Sequence, residues 1–223
     1  MYLSRLRLNP QSREVQRDLA DCHEMHRTIM RAFPEVGPSA RAACGVLYRV
    51  EPHRGYGPVT VLVQSRVQPD WSRLPEGYLL PGPLGCAVKD ISGLLEAIRP
   101  GLWLRFRLLA NATRKIRSEN PNGRRVPLRK EEAAVAWLRR KAEAAGFELT
   151  ELSSVQNLAD VRVLAGGAFR VEGRHPAGRI TLEGVLFEGR LRVVDADRFR
   201  EALVNGIGPA KAYGFGLLSV GPV

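Results

Sequence analysis

Residues 2–33 read YLSRLRLNPQSREVQRDLADCHEMHRTIMRAF. Tyr2 to Leu8 alternates polar and apolar side chains, the period-2 pattern of a strand with one buried face. Asn9-Pro10 ends it, because proline has no N–H to give to a ladder. Ser12 to Ala20 predicts a short helix. Asp21 predicts the cap of a second one, since Asp21 and Glu24 have capping-box spacing. Cys22, Met25, Ile29, Met30 and Phe33 then fall on one face at a 3.6-residue period. Pro34 and Gly37-Pro38 close the segment. The result is one strand followed by helices with an apolar stripe to lay on it.

Outward from this opening, Cys44–Glu51 and Val59–Ser65 read as two strands separated by a Pro/Gly-containing turn. Residues 66–101 are rich in proline and glycine, and only Ile91–Ile98 reads as helical. Leu102–Leu109 alternates cleanly, with Arg105 and Arg107 opposite Leu104 and Phe106. A basic, turn-rich loop is expected over Asn111–Arg129, a helix over Glu131–Ala145 ending at Gly146, and a strand over Phe147–Leu152. Further strand pairings follow, with a turn at Gly166-Gly167 and a hairpin tip near Gly173–Gly178. Thr181–Val194 is strand-rich and is expected to break at Gly189. Asp195–Val204 reads as a helix stopped by Asn205-Gly206, and Leu217–Val220 as the last strand. Each half approximates strand, helix, strand, strand, helix, strand. That order predicts an α+β protein made of tandem ferredoxin-like (RRM-like, βαββαβ) domains. The expected division is 1–100, carrying the Asp21 helix, and 101–223, carrying the basic loop, the hairpin and a glycine-rich loop.

The 223 residues are 44% hydrophobic, enough for a buried core. No run of 18 apolar residues exists and the N-terminus alternates, so neither a membrane span nor a signal peptide is expected. Cys22, Cys44 and Cys86 form an odd set without CxxC spacing, which argues against a disulfide scaffold or zinc site and suits a cytoplasmic location. The net charge is +11, with 29 Arg against 5 Lys. From Arg105 to Lys141 there are 12 basic and 3 acidic residues. Such a local surplus points to a polyanion, and arginine suits bidentate phosphate contacts. Aromatic residues are only 7% and no RNP-like run is present, so base stacking on a sheet is not the expected mode.

Three constellations could carry chemistry. His23 and His26 sit in the first turns of the Asp21 helix, where the helix dipole favours a phosphate and disfavours an imidazolium. Arg27 could neutralise that phosphate. The plain alternative is that His26 merely packs beside the apolar stripe. The second is Gly206-Ile207-Gly208-Pro209-Ala210-Lys211-Ala212-Tyr213-Gly214-Phe215-Gly216, whose Gly206, Gly208, Lys211, Gly214 and Gly216 suit an anion nest or a close backbone approach. It is neither a Walker A loop nor a dinucleotide fingerprint. The third is basic: Arg114, Lys115, Arg117, Arg124, Arg125, Arg129 and Lys130, with Arg170, Arg174 and Arg179 on the hairpin. No Asp/Glu/His cluster has metal-ligand spacing, so no metal and no cofactor is expected.

Together these stretches resemble the CasE-type endoribonucleases of type I-E CRISPR systems, in the repeat-associated (RAMP) superfamily. The matching text is the strand ending in Leu8-Asn9-Pro10, His26-Arg27, Gly184-Val185-Leu186-Phe187-Glu188-Gly189-Arg190-Leu191, and above all the C-terminal glycine-rich loop through Ser219. The resemblance implies two ferredoxin-like domains, binding of a CRISPR repeat stem-loop, one cut at the stem base, and retention as a subunit of Cascade. It makes His26 the catalytic histidine. At position 23, where such proteins often carry tyrosine, this chain has His23, which could donate a proton, bind phosphate or only pack. RNA supplies its own nucleophile, the 2′-OH, so a metal-independent cut leaving a 2′,3′-cyclic phosphate and a 5′-OH is expected. The sequence does not separate base from acid for His26, nor does it assign Tyr2, Tyr213 or Lys211. A non-cleaving RNA scaffold and a protein-interaction module are the competing readings.

Overall fold

The structure, a computed structural model, describes residues 1–37, 39–52, 57–117, 124–153, 158–164 and 169–223. The expected turn at Gly166-Gly167 and the middle of the expected basic loop lie outside the described residues. The chain forms two compact units.

The first unit opens with β1 (Tyr2–Arg7), α1 (Arg13–Ala20), α2 (Cys22–Met30) and the one-turn α3 (Ala40–Ala43). It continues with β2 (Leu47–Val50), β3 (Thr60–Ser65), β4 (Cys86–Asp90) and the short α4 (Ser92–Glu96). The sheet order is β2-β3-β1-β4, and every neighbouring pair is antiparallel. β1 and β2 therefore run in the same direction with β3 between them, which is the split βαβ arrangement. The second helix of the pattern is missing between β3 and β4. Two 3₁₀ turns, Trp71–Arg73 and Gly82–Leu84, stand there instead. Pro69, Pro75, Pro81 and Pro83 leave no helical turn intact across that connection. The helix expected over Ile91–Ile98 shrinks to α4 and follows β4.

Alternation along β1 buries Leu6 and, just beyond the strand, Leu8 under Met25, Ile29 and Phe33 of the α2 segment, with Tyr48, Val61 and Val63 completing the core. Beneath α2 lies a polar network. The Asp18 carboxylate is buried, accepts from the Tyr78 hydroxyl at 2.8 Å and pairs with Arg17 at 2.7 Å. A carboxylate so placed is tolerable because both oxygens are satisfied.

The second unit comprises β5 (Trp103–Ala110), β6 (Thr113–Ile116), β7 (Arg124–Pro127), α5 (Glu131–Ala144), β8 (Phe147–Leu149), β9 (Glu151–Ser153), β10 (Leu158–Ala159) and β11 (Val161–Leu164). After β12 (Arg170–His175) and β13 (Gly178–Glu183) come β14 (Val185–Val193), α6 (Ala196–Asn205) and β15 (Leu218–Pro222). Its sheet runs β11-β14-β5-β15, with β8 also on β14. β8 pairs with Leu191–Val193 and β11 with Leu186–Gly189, so the two share one strand position, interrupted by β9 and β10. Counted that way, β5, α5, β8/β11, β14, α6 and β15 form a complete βαββαβ unit, and the chain is a tandem ferredoxin-like protein.

Three expectations change here. The basic segment is not a loop but a β-hairpin, β6 against β7, with Lys115 opposite Arg125 and Ile116 opposite Arg124. β14 does not break at Gly189; a Cβ there would lie 2.2 Å from the Asp160 carbonyl, so glycine lets the neighbouring backbone approach. The division of the chain is also not a single cut near Pro100-Gly101. Val171–Thr181 and Lys211–Leu217 group with the first unit, and Ile98–Arg170, Leu182–Ala210 and Leu218–Val223 form the second. The reason is local anchoring. The Tyr48 hydroxyl donates to the Ala212 carbonyl at 3.1 Å, and the buried Arg49, paired with Glu51 at 2.6 Å, donates to the Leu217 carbonyl at 3.1 Å. Among the described residues no helix is long and apolar enough to cross a membrane, and the three cysteines are free.

Candidate active site

His23, His26 and His175 come together in the first unit. His23 and His26 lie in the first turns of α2, where Asp21 is the N-cap. Its Oδ1 accepts the backbone N–H groups of His23 at 2.9 Å and Glu24 at 3.3 Å. The helix-end donors expected to hold a phosphate are therefore partly taken by this carboxylate, and anion contacts here must come from side chains. The other carboxylate oxygen, Oδ2, accepts the N–H of Arg174 at 3.0 Å. One aspartate thus caps the helix and pins hairpin β12–β13 to it. Gly173 makes that approach possible: a Cβ would lie 2.6 Å from Asp21 Oδ1, 2.9 Å from Cys22 Sγ and 3.1 Å from His23 N.

This docking brings His175 to His23, with ring centroids 4.9 Å apart and planes at 81°. On the other side stands Tyr213, whose ring centroid is 6.5 Å from that of His23 and 6.3 Å from that of His26. Tyr213 belongs to a 3₁₀ turn, Lys211–Tyr213, held by the Tyr48 and Arg49 bonds described above. Burial holds the His26 imidazole down at about 4, helped by electrostatic repulsion from the neighbouring His23 and Arg41 side chains. His26 is thus a neutral imidazole at physiological pH, with a lone pair free to take a proton. Burial, and next the Cys22 thiol, raise the Tyr213 phenol, which keeps its proton. His23 Nδ1 is buried without a partner among the described residues. An orphaned buried polar atom costs roughly 1–3 kcal/mol.

The remaining candidate residues divide between the units. With the histidines lie Arg27, Arg174, Arg179, Lys211, Gly214 and Gly216; Lys115, Arg117, Arg124, Arg125, Arg129, Arg170, Gly206 and Gly208 belong to the other unit. Arg27 pairs with Glu24 at 2.9 Å, Arg129 with Glu183 at 2.6 Å and Arg179 with Glu172 at 2.6 Å, so a phosphate must compete for these. Arg114, Lys115, Arg117, Arg124 and Arg125 are exposed on and beside hairpin β6–β7. Gly206 ends α6 with φ of 74°, and a Cβ on Gly208 would meet the Trp137 ring at 3.2 Å, so both have packing reasons. Gly214, with φ of 87°, lies as close to Tyr48.

Sequence reasoning missed His175 and Arg41. His175 is far away in the chain, and its only local mark was a place beside a hairpin tip. Arg41 acts through proximity on a one-turn helix with no periodic signal.

The sequence matches the family described as CRISPR associated protein over residues 1–222. The chain belongs to this CRISPR-associated family. Within it, the chain is 41% identical over 225 residues to the CRISPR-associated endoribonuclease Cse3 of Thermus thermophilus, spanning 100% of both proteins. It is 29% identical over 234 residues to the CRISPR system Cascade subunit CasE of Escherichia coli, again over 100% of both. A solved structure of Cse3 bound to a 19-nucleotide RNA superposes with a TM-score of 0.82 and 40% identity, covering 100% of each chain. The CasE-type membership expected from the C-terminal loop and the His26 helix is thereby established at full length.

Proposed function

We propose that this chain is a CRISPR RNA-processing endoribonuclease. It binds the repeat stem-loop of the precursor transcript, cuts once at the base of the stem, and stays on the product as a subunit of a type I-E Cascade complex. The observation that carries the reading is the neutral, half-buried His26 at the head of α2, in a chain alignable end to end with an endoribonuclease. The partners are the repeat RNA and other Cascade subunits, and the unbridged cysteines suit a cytoplasmic home.

The reaction needs no metal. The 2′-OH adjoining the scissile phosphate is the nucleophile. His26, uncharged, takes its proton as the 2′-oxygen attacks phosphorus in line. The P–O5′ bond breaks, the 5′-oxygen leaves with a proton from a donor on the far side, and the products are a 2′,3′-cyclic phosphate and a 5′-OH. His23 and the protonated Tyr213 flank His26 and are the donors available there. Lys211, Gly214 and Gly216 supply the turn that sets Tyr213 in place. The exposed cations of β6–β7, with Arg174, grip phosphates of the stem.

The test is cleavage of a labelled repeat stem-loop under single-turnover conditions in excess EDTA. Wild-type protein is expected to cleave, and His26→Ala to bind equally while losing about 10²–10⁴ in rate, the usual worth of one acid–base group. Undiminished cleavage by His26→Ala removes His26 from the mechanism, and loss of wild-type activity in EDTA replaces the metal-free route.

A further inference from the structure

His175 has no part in the scheme above, yet its surroundings are built. It ends β12, next to the Pro176-Ala177 tip, and its side chain is exposed. An exposed ring at a hairpin tip would ordinarily sample many orientations. This one is fixed at three points. Its Nδ1 accepts the N–H of Ala177 at 3.0 Å. Its ring stands edge-on against His23. Its strand is locked two residues earlier by Gly173 against Asp21 and one residue earlier by the Arg174 N–H on Asp21 Oδ2. The same carboxylate that starts the helix of His23 and His26 therefore also sets the position of His175.

The Ala177 bond has a chemical consequence. A nitrogen that accepts an N–H carries no proton of its own, so the neutral ring has its one proton on Nε2. Protonating Nδ1 would set two N–H groups against each other. His175 is thus poorly made to shuttle a proton and well made to be a fixed hydrogen-bond donor. Beside it is a concavity lined by Asp21, Arg174 and Arg179 and floored by Gly173 and Gly178. Arg179 there is tied to Glu172, whereas the Arg174 side chain has no carboxylate partner among the described residues. A donor N–H beside a guanidinium with no carboxylate partner among the described residues, next to the imidazoles, suits a species that gains negative charge in the reaction, as the phosphoryl group does on passing through a pentacoordinate state.

We propose that His175 is a further catalytic residue, donating from Nε2–H to a non-bridging oxygen of the scissile phosphate and stabilising the charge that builds there in the transition state. The inference rests on the endoribonuclease reading. It adds no proton transfer: the 2′-OH proton goes to His26 and the leaving oxygen is protonated by the His23 side of the site. Removing one preorganised donor of this kind typically costs about 10²–10³ in rate.

The experiment measures single-turnover cleavage and binding of the repeat stem-loop by the full chain and by His175→Ala and His175→Gln. His175→Ala should bind as wild type does and cleave about 10²–10³ times more slowly. Glutamine can donate a hydrogen bond but cannot exchange a proton, so His175→Gln should recover most of the rate with an unchanged pH profile. Substrates with sulfur in place of one or the other non-bridging oxygen give an independent readout. Wild type should be slowed by sulfur at one position more than at the other, and His175→Ala should lose that preference. Equal cleavage by wild type and His175→Ala overturns the inference and leaves the endoribonuclease reading intact. His175→Gln as slow as His175→Ala, with an altered pH profile, overturns the donor role. No cleavage by the wild type overturns the functional reading and the inference with it.

Discussion

At the head of α2, three imidazoles, a phenol and a glycine turn are packed together, and the Asp21 carboxylate that starts the helix is occupied by backbone N–H groups. On hairpin β6–β7 four cations stand in water on two short strands, with Arg117 just beyond β6, and no acidic residue is among the described residues of that hairpin. The first region works by burial: desolvation moves His26 far from its ordinary range and fixed contacts set angles. The second works by charge alone, where geometry matters little, because phosphate contacts need no exact spacing. The two regions should therefore fail differently. Small steric changes should ruin the first while sparing affinity, and only loss of charge should disturb the second.

The sharpest way to break this contrast is Gly173→Ala. The added methyl has no room: it would meet Asp21 Oδ1 and the buried Cys22 Sγ, and 3.1 Å away the backbone nitrogen of His23, and the Asp21 carboxylate is itself held by the N–H groups of His23, Glu24 and Arg174. The hairpin must back away, taking Arg174 and His175 with it. Misplacement on the order of 1 Å can cost about 10²-fold in rate. The expected outcome is a fall of that size in single-turnover cleavage with stem-loop binding within a few fold of wild type. Gly93→Ala, where the space around the glycine is open, is the control and should change nothing. Full activity in Gly173→Ala would show that the hairpin is not part of the site.

The contrast also explains what could be read from sequence. Periodicity located β1, α2, β5, α5 and α6, because each buries one face and the pattern records it. The Asp21 cap was legible for the same reason: its partners are two and three residues away. Its second role, holding Arg174, was not, because the bond spans 153 residues. Likewise Pro/Gly density showed that residues 66–101 were irregular, but not that edge strand β4 lay within them, since its residues Ala87–Asp90 are exposed and carry no alternation. The charge surplus was visible as composition. Which arginines are unpaired was not, since Arg129 and Glu183 meet only in the fold.

A smaller effect sharpens the burial side. Unfolded, the His26 imidazole titrates near its ordinary 6.5; folded, it stays neutral down to about 4. Above pH 6.5 neither state binds the proton and His26 contributes nothing to the pH dependence. As pH falls from about 6.5 to about 4, only the unfolded chain gains a proton, so stability declines through that window, by on the order of 2–3 kcal/mol at its foot. The carboxylates of Glu14, Asp90 and Glu183 are shifted downward, and their stabilisation is lost in a more acidic window. Urea unfolding between pH 7 and pH 4 should therefore show a shallower loss for His26→Gln than for wild type. Parallel curves would mean that His26 is charged in the folded protein.

The charge side is tested where the effect per residue is least. Replacing Arg114, Lys115, Arg124 and Arg125 together by Gln removes four positive charges and no buried contact. Their side chains are exposed, and the bond that Arg125 donates to Thr113 Oγ1 at 3.3 Å lies at the surface. Each phosphate contact contributes about 0.9 to the slope of log affinity against log salt on a duplex. If all four cations touch the stem, the slope should flatten by about 3 to 4, and affinity at low salt should fall while the single-turnover rate at saturating RNA stays at the wild-type value. Arg129→Gln gives the comparison. Its charge is already matched by Glu183, so the slope should barely move. A fourfold variant with unchanged slope would place the stem elsewhere on the protein. A variant that loses rate at saturation would show that the hairpin orients the scissile phosphate as well as attracting it, and the division between a steric and an electrostatic region would then give way to a single shared task.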